Sequence, residues 1–157
     1  LNFNYTNTPN RYSMSETFET INIHGELKSE TNTIIFGYGD EIDQDYREIE
    51  ALNENELLKH IKSFDYFKTG NYNKLLKFIS EDKFEIFIMG HSCGVSDRTL
   101  LSSIFCHENC KSIRIFYHTE EDYRNKTYEI SRHFNNKDLM RRRIVNKEIS
   151  TAMPQLK

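Results

Sequence analysis

The sequence has no tryptophan, two prolines, six glycines and three cysteines in 157 residues. So little glycine and proline leaves no low-complexity or linker-like tract, and no internal repeat is visible. No apolar run approaches the roughly 18 residues of a membrane span, so contact with a membrane is not expected. Twenty-one basic residues stand against 24 acidic ones, a net charge of -3. That balance gives no broad phosphate-binding face, and nucleic acid is not an expected partner. The one basic run, Arg141-Arg142-Arg143, reads as a solvated helix face. Cys93, Cys106 and Cys110 are too few, and odd in number, for a disulfide scaffold, which makes a reducing cytoplasm the expected compartment.

What the chain does have is aromatic and aliphatic material: 37% hydrophobic residues, with 11 Phe and 9 Tyr. This suffices for one core, and the mean hydropathy of -0.72 implies a polar surface around it. One domain over residues 1–157 is the expectation for this length. Because Leu1 falls inside a strand-like run, the sequence reads as the C-terminal part of a longer protein.

Three short β-like runs come first: Leu1 to Thr6, Thr20 to His24 ending at Gly25, and Thr33 to Phe36 ending in Gly37-Tyr38-Gly39-Asp40. Residues 38–56 are acidic and read as a loop or mobile helix. Leu57, Leu58, Ile61 and Phe64 share one helical face, as do Tyr72, Leu75, Leu76 and Ile79. Phe84 to Met89 is almost continuously apolar and predicts a strand buried on both faces. After a turn at Gly90 to Gly94, Ser96 or Asp97 is placed to cap a helix carrying Leu100, Leu101, Ile104 and Phe105 inward. Ile113 to Tyr117 predicts a strand, Tyr123, Thr127, Ile130 and Phe134 a helix, and a basic tail follows to Pro154. This alternation predicts an α/β fold, a Rossmann-like three-layer domain with a mostly parallel sheet. Ligands bind such sheets at the carboxyl ends of the strands. Three polar motifs fall there: Asn2 to Thr6, His24-Gly25, and Gly90-His91-Ser92.

Gly90-His91-Ser92-Cys93-Gly94 also fits the G-x-S-x-G pattern of a hydrolase nucleophile elbow, which requires a downstream acid and then a histidine. Asp122 and His133 share one predicted helix, about 16 Å apart at 1.5 Å per residue, and cannot pair. Asp97 with His118 keeps the order, but Asp97 is better used as a helix cap. Ser92 is therefore read as a turn residue. Cys106-His107-x-x-Cys110, with Cys93 as a fourth ligand, is zinc-like in content but lacks a C-x-x-C knuckle, and Cys106 points with the core face of its helix. No metal is expected.

Taken in order, Asn2-x-Asn4-Tyr5-Thr6, Ile23-His24-Gly25, Ile35-Phe36-Gly37-Tyr38-Gly39 and Gly90-His91-Ser92-x-Gly-x-Ser-Asp97 resemble the bacterial abortive-infection family AbiH, over Leu1 to about Phe105. These are phage-defence proteins. Near their N-terminus they carry a Gly-Asn-Gly-Phe-Asp-type segment that this sequence does not contain. More distantly, the motif order is similar to the sirtuin-type NAD-binding fold. There an Asn-containing segment meets the nicotinamide ribose, a His-Gly supplies the active-site histidine, and a Gly-Thr-Ser turn holds the dinucleotide. The sequence departs from that pattern at Thr6, where sirtuins have Asp, at His91, where they have Thr, and in lacking a four-cysteine zinc ribbon. The resemblance implies Asn4 and His24 as catalytic residues, and Tyr5, Gly25, Gly90, His91, Ser92 and Asp97 as ligand-binding ones. It also implies NAD as a substrate in the intact protein. A non-enzymatic sensor of a phage or host protein, using the aromatic and acidic segment from Tyr38 to Tyr46, is a second reading of the same chain, and a serine hydrolase using Ser92 is a third.

Overall fold

The computed structural model describes residues 1–11 and 18–154. Seven α-helices and one parallel pair of strands are present among them: α1 (Gln44–Ala51), α2 (Asn55–Leu58), α3 (Lys62–Asp65), α4 (Asn71–Glu81), β1 (Phe84–Ile88), α5 (Arg98–Phe105), β2 (Cys110–Ile115), α6 (Glu120–Ser131) and α7 (Lys137–Arg143). The architecture is α/β, with a two-stranded parallel sheet. None of the described helices is long and apolar enough to cross a membrane. The chain divides into two compact units, residues 1–38 with 44–78, and residues 39–43 with 79–157.

In the first unit the three β-like runs form no strand. They meet through isolated ladder bonds: Asn2 N–H to the Ile21 carbonyl at 2.8 Å, Ile23 N–H to the Asn2 carbonyl at 3.1 Å, and Ile35 N–H to the His24 carbonyl at 3.0 Å. The reason lies in the asparagines. The Asn2 side chain accepts the Asn4 N–H and donates to the Thr6 carbonyl, taking backbone groups that a longer ladder would have used. The single helix expected from Leu57 to Phe64 is broken in two. Ile61 is extended (φ -81°, ψ 113°), forms a parallel bridge with Tyr38, and starts α3. Leu57 and Phe64 consequently stand exposed. Residues 44–51 form α1, with Tyr46 buried.

In the second unit β1 pairs with β2, Ile86 opposite Ile113 and Ile88 opposite Ile115, with α5 as the connection. β1 is not buried on both faces: Ile88 is buried, but Phe87 and Met89 are 52% and 60% exposed. Its apolar run alternates in burial because one face is covered and the other is not. β2 runs from Cys110 to Ile115, earlier than expected, and its Ile113 is bridged by Ile144. α5 buries Leu100, Leu101, Ile104 and Phe105, as its periodicity predicts.

The basic tail contains α7, capped by Asn136, whose side chain accepts the Asp138 and Leu139 N–H groups. Arg141 and Arg142 are exposed, but Arg143 is buried and donates to the Phe105 carbonyl. A guanidinium there satisfies an orphan carbonyl at the negative end of α5. The triple-arginine run is thus only in part a solvated face.

Candidate functional site

In the first unit the site is built around His24, which is 4% exposed. Its Nε2 lies 3.3 Å from the Tyr66 hydroxyl, with the two ring planes parallel to within 5°. Phe3 meets the imidazole edge-on at 5.4 Å, and Tyr5 lies at 6.5 Å. Tyr66 in turn stacks on Tyr72 at 5.3 Å. Tyr5 stacks on Phe36 at 5.5 Å, and Phe36 is itself 72% exposed. The result is an imidazole boxed by aromatic rings, with a solvent-facing ring beyond Tyr5.

Gly25 follows at φ +83°, and a Cβ there would meet the Thr33 carbonyl oxygen at 2.2 Å. Only glycine lets the chain leave His24 in that direction so close to the neighbouring backbone. Asn4 is exposed and ties into the unit through its N–H, which donates to Asn2 Oδ1 at 3.1 Å. Asn2 is the buried asparagine of the pair. Its Nδ2 donates to Asn22 Oδ1 and to the Thr6 carbonyl, each at 2.8 Å. Asn71 Nδ2 donates to the Asn22 carbonyl and to Asn32 Oδ1, also at 2.8 Å. This network fixes the Asn2 to Thr6 loop that carries Asn4 and Tyr5.

The Gly90 to Gly94 turn belongs to the second unit. Gly90 has φ +71°, and so does a non-glycine residue take the left-handed region here: Cys93, at φ +59°. In a nucleophile elbow the strained position is the nucleophile itself. Here it is Cys93, not the exposed Ser92. Cys93 is 1% exposed, and burial pushes its thiol up to about 12, so it is held neutral. Its N–H donates to His91 Nδ1 at 3.0 Å, and its carbonyl lies 2.8 Å from His133 Nε2. His133 is itself buried, and desolvation holds its pKa below the usual histidine range.

His91 Nε2 sits 3.7 Å from the buried carboxylate of Asp97. Asp97 occupies the N-cap position of α5 but makes no side-chain capping bond; the expected cap gives way to this contact with His91. Three main-chain donors of the region are already engaged: Cys93 N–H on His91, Asp97 N–H on the Gly94 carbonyl, and Thr99 N–H on the Gly39 carbonyl. An anion at this turn would therefore rely on the exposed Ser92 hydroxyl more than on those amides or on His91, whose two ring nitrogens face the Cys93 N–H and the Asp97 carboxylate.

The residues of the zinc-like pattern are otherwise occupied. His107 Nδ1 accepts the Asn109 N–H at 3.2 Å, and Cys106, which is exposed rather than on the core face, turns its Sγ to the His133 carbonyl at 3.5 Å.

Of the residues singled out from sequence, His24, Tyr5 and Gly25 come together in the first unit, with Asn4 on the adjoining loop. Gly90, His91, Ser92 and Asp97 come together in the second. Asn2, Asn22, Tyr66 and His133 were missed. The Asn2-x-Asn4 spacing was a usable signal for Asn2, since an asparagine side chain commonly bonds the backbone two residues on. For Tyr66 and His133 no local signal exists, because their partners lie 42 and 40 residues away.

The model of the family described as bacteriophage abortive infection AbiH matches residues 1–119, well over half of the chain. The chain belongs to the AbiH family. The matched residues include the His24 cluster and the whole Gly90 to Asp97 turn, whereas His133 and Arg143 lie beyond them. No curated protein and no solved structure matches this AbiH-family chain.

Proposed function

We propose that this abortive-infection chain carries part of a nucleotide site, for NAD, and that the intact protein cleaves NAD within the cytoplasm of an infected cell. A Rossmann-like three-layer arrangement of the intact protein belongs to the same proposal. The observation that carries it is the buried His24 imidazole, boxed by Phe3, Tyr5 and Tyr66 beside the exposed Asn4 loop. Breaking the bond between nicotinamide and ribose builds oxocarbenium character, and it needs a group to orient water or a ribose hydroxyl and another to manage a proton near neutral pH. Asn4 suits the first task and His24 the second. The exposed ring of Phe36, stacked on Tyr5, suits a planar heterocycle.

The test is calorimetry of NAD binding and an assay of NAD consumption by the intact parent protein, each repeated with His24→Ala. Turnover abolished by His24→Ala is expected. No binding and no turnover would overturn the proposal and leave a phage-sensing or protein-interaction module. Labelling of Ser92 by a fluorophosphonate would instead favour hydrolase chemistry.

A further inference from the structure

The run from Thr33 to Gly37 lies at the surface of the first unit, with Ile35 buried and Thr33, Ile34, Phe36 and Gly37 exposed. One edge of its backbone is engaged. The Ile35 N–H donates to the His24 carbonyl at 3.0 Å, and the Thr33 carbonyl lies so close to Gly25 that a Cβ there would strike it. Backbone groups alternate in direction along an extended chain, so the N–H and carbonyl groups of Ile34 and Phe36 turn to the opposite edge. Among the described residues nothing hydrogen-bonds them there.

An open edge of this kind is a template for another strand, and proteins usually blunt it with charge, proline or a bulge. From Thr31 to Gly39 the sequence has neither a charged residue nor a proline. The run is also self-complementary. A twofold axis at Ile35 sets Ile34 of one copy opposite Phe36 of the other, and each such pair can exchange its N–H···O bonds in both directions.

We propose that this edge pairs with its own counterpart in a second copy of the chain, antiparallel about Ile35. The pairing uses the open backbone groups of Ile34 and Phe36 in both copies. It sets Ile34 beside Phe36 of the second copy, a β-branched residue against an aromatic one, and the contact is isologous. A second copy is the occupant the pattern selects, because one register satisfies the backbone, matches the side chains and brings no like charges together. The stack of Phe36 on Tyr5 and the burial of Ile35 are kept. One short edge buries less than the roughly 1,200 Å² of a stable interface, so the dimer is weak and forms only as concentration rises. The inference goes beyond the nucleotide reading and does not draw on His24 or Asn4 as working residues.

The experiment is sedimentation equilibrium of the full chain across a concentration series, with amide exchange followed by NMR on the same samples. The average mass is expected to rise from monomer toward dimer. Exchange at Ile34 and Phe36 is expected to slow in step, while Ile35, already bonded to His24, stays as it was. Ile34→Pro removes an outward N–H from each copy without touching the inner edge, and is expected to weaken the dimer by about thirtyfold. Ile34→Thr keeps the N–H and a β-branched side chain, and is expected to weaken it by less than about tenfold. Circular dichroism reports whether each variant is folded.

A monomer at every concentration overturns the proposal, as does a dimer that Ile34→Pro leaves intact. Equal weakening by Ile34→Thr and Ile34→Pro also overturns it, since contact between side chains would then hold the copies together. If Ile34→Pro fails to fold, the wild-type exchange decides: slowing with concentration at Ile34 and Phe36 upholds the pairing, and its absence overturns it.

Discussion

At the scale of single residues, the roles of Asn2 and Asn4 are the reverse of what their chemistry alone suggests for stability. Both are asparagines in one motif, but only Asn2 is buried, where it satisfies the Asn4 N–H, the Thr6 carbonyl and Asn22 Oδ1. Asn2→Ala leaves those groups unpaired and is expected to cost about 1–3 kcal/mol in urea unfolding. Asn4→Ala touches an exposed side chain and is expected to stay within about 0.5 kcal/mol, while lowering affinity for the proposed nucleotide. Equal losses of stability would show that the loop is not organised by Asn2. Gly25→Ala is a third case at this scale. It adds a Cβ where the φ is +83° and the Thr33 backbone is in the way, so a loss above about 2 kcal/mol is expected in the same assay.

At the scale of elements, the turn between β1 and α5 is held by a segment far along the chain. Cys93 keeps a φ of +59° because both its backbone groups are tied down, the N–H by His91 and the carbonyl by His133. Strained residues persist where neighbours over-determine them. His133 lies after α6, and its own carbonyl accepts from Ser102 Oγ of α5 at 3.1 Å, so one residue joins α5, the post-α6 segment and the turn. His133→Phe preserves an aromatic ring against Phe105 but removes the donor to the Cys93 carbonyl. The expected result is a rise of about tenfold in the labelling rate of Cys93 by a small thiol reagent, read by peptide mass mapping. The exposed Cys106 should label quickly in both proteins and the buried Cys110 slowly in both. Acceleration at Cys110 as well would indicate general unfolding, and no acceleration at Cys93 would show that His133 does not hold the turn.

At the scale of the whole molecule, the parts legible in the sequence were those written in local periodicity. The helix face of Leu100, Leu101, Ile104 and Phe105 was readable, as was the strand from Phe84. The early strands were not, because Asn2 diverts backbone groups to its side chain, and the helix break at Ile61 was not, because its partner is Tyr38. Of the candidate site, His24, Gly25 and Tyr5 were legible as a motif, while Tyr66 and His133, contributed from distant sequence, were not.

The same buried groups shape the pH dependence of stability. His133 has a folded pKa below the usual 6.5 because burial disfavours its charged form. As pH falls below about 6.5 the unfolded chain takes up a proton that the folded chain refuses, so stability falls with pH. Cys93 has a folded pKa of about 12 against an ordinary 9.0. As pH rises above 9.0 the unfolded chain releases a proton that the folded chain retains, so stability falls there too. Cys110 and Cys106, also raised by burial, act in the same direction. Asp122 is lowered, against the cost of its own burial, by Lys126 and the His118 N–H, and so loses its contribution only at more acid pH, below the ordinary 3.8.

A plateau of stability between about pH 6.5 and 9 is therefore expected, with separable flanks. Urea midpoints measured across pH for wild type, His133→Gln and Cys93→Ala check it. His133→Gln should flatten the flank just below about pH 6.5 and leave the alkaline flank unchanged. Cys93→Ala should shrink the alkaline flank without abolishing it, since Cys110 remains buried. An acid flank that survives His133→Gln intact would mean that another group carries it, and that His133 accepts its proton as readily when folded as when unfolded.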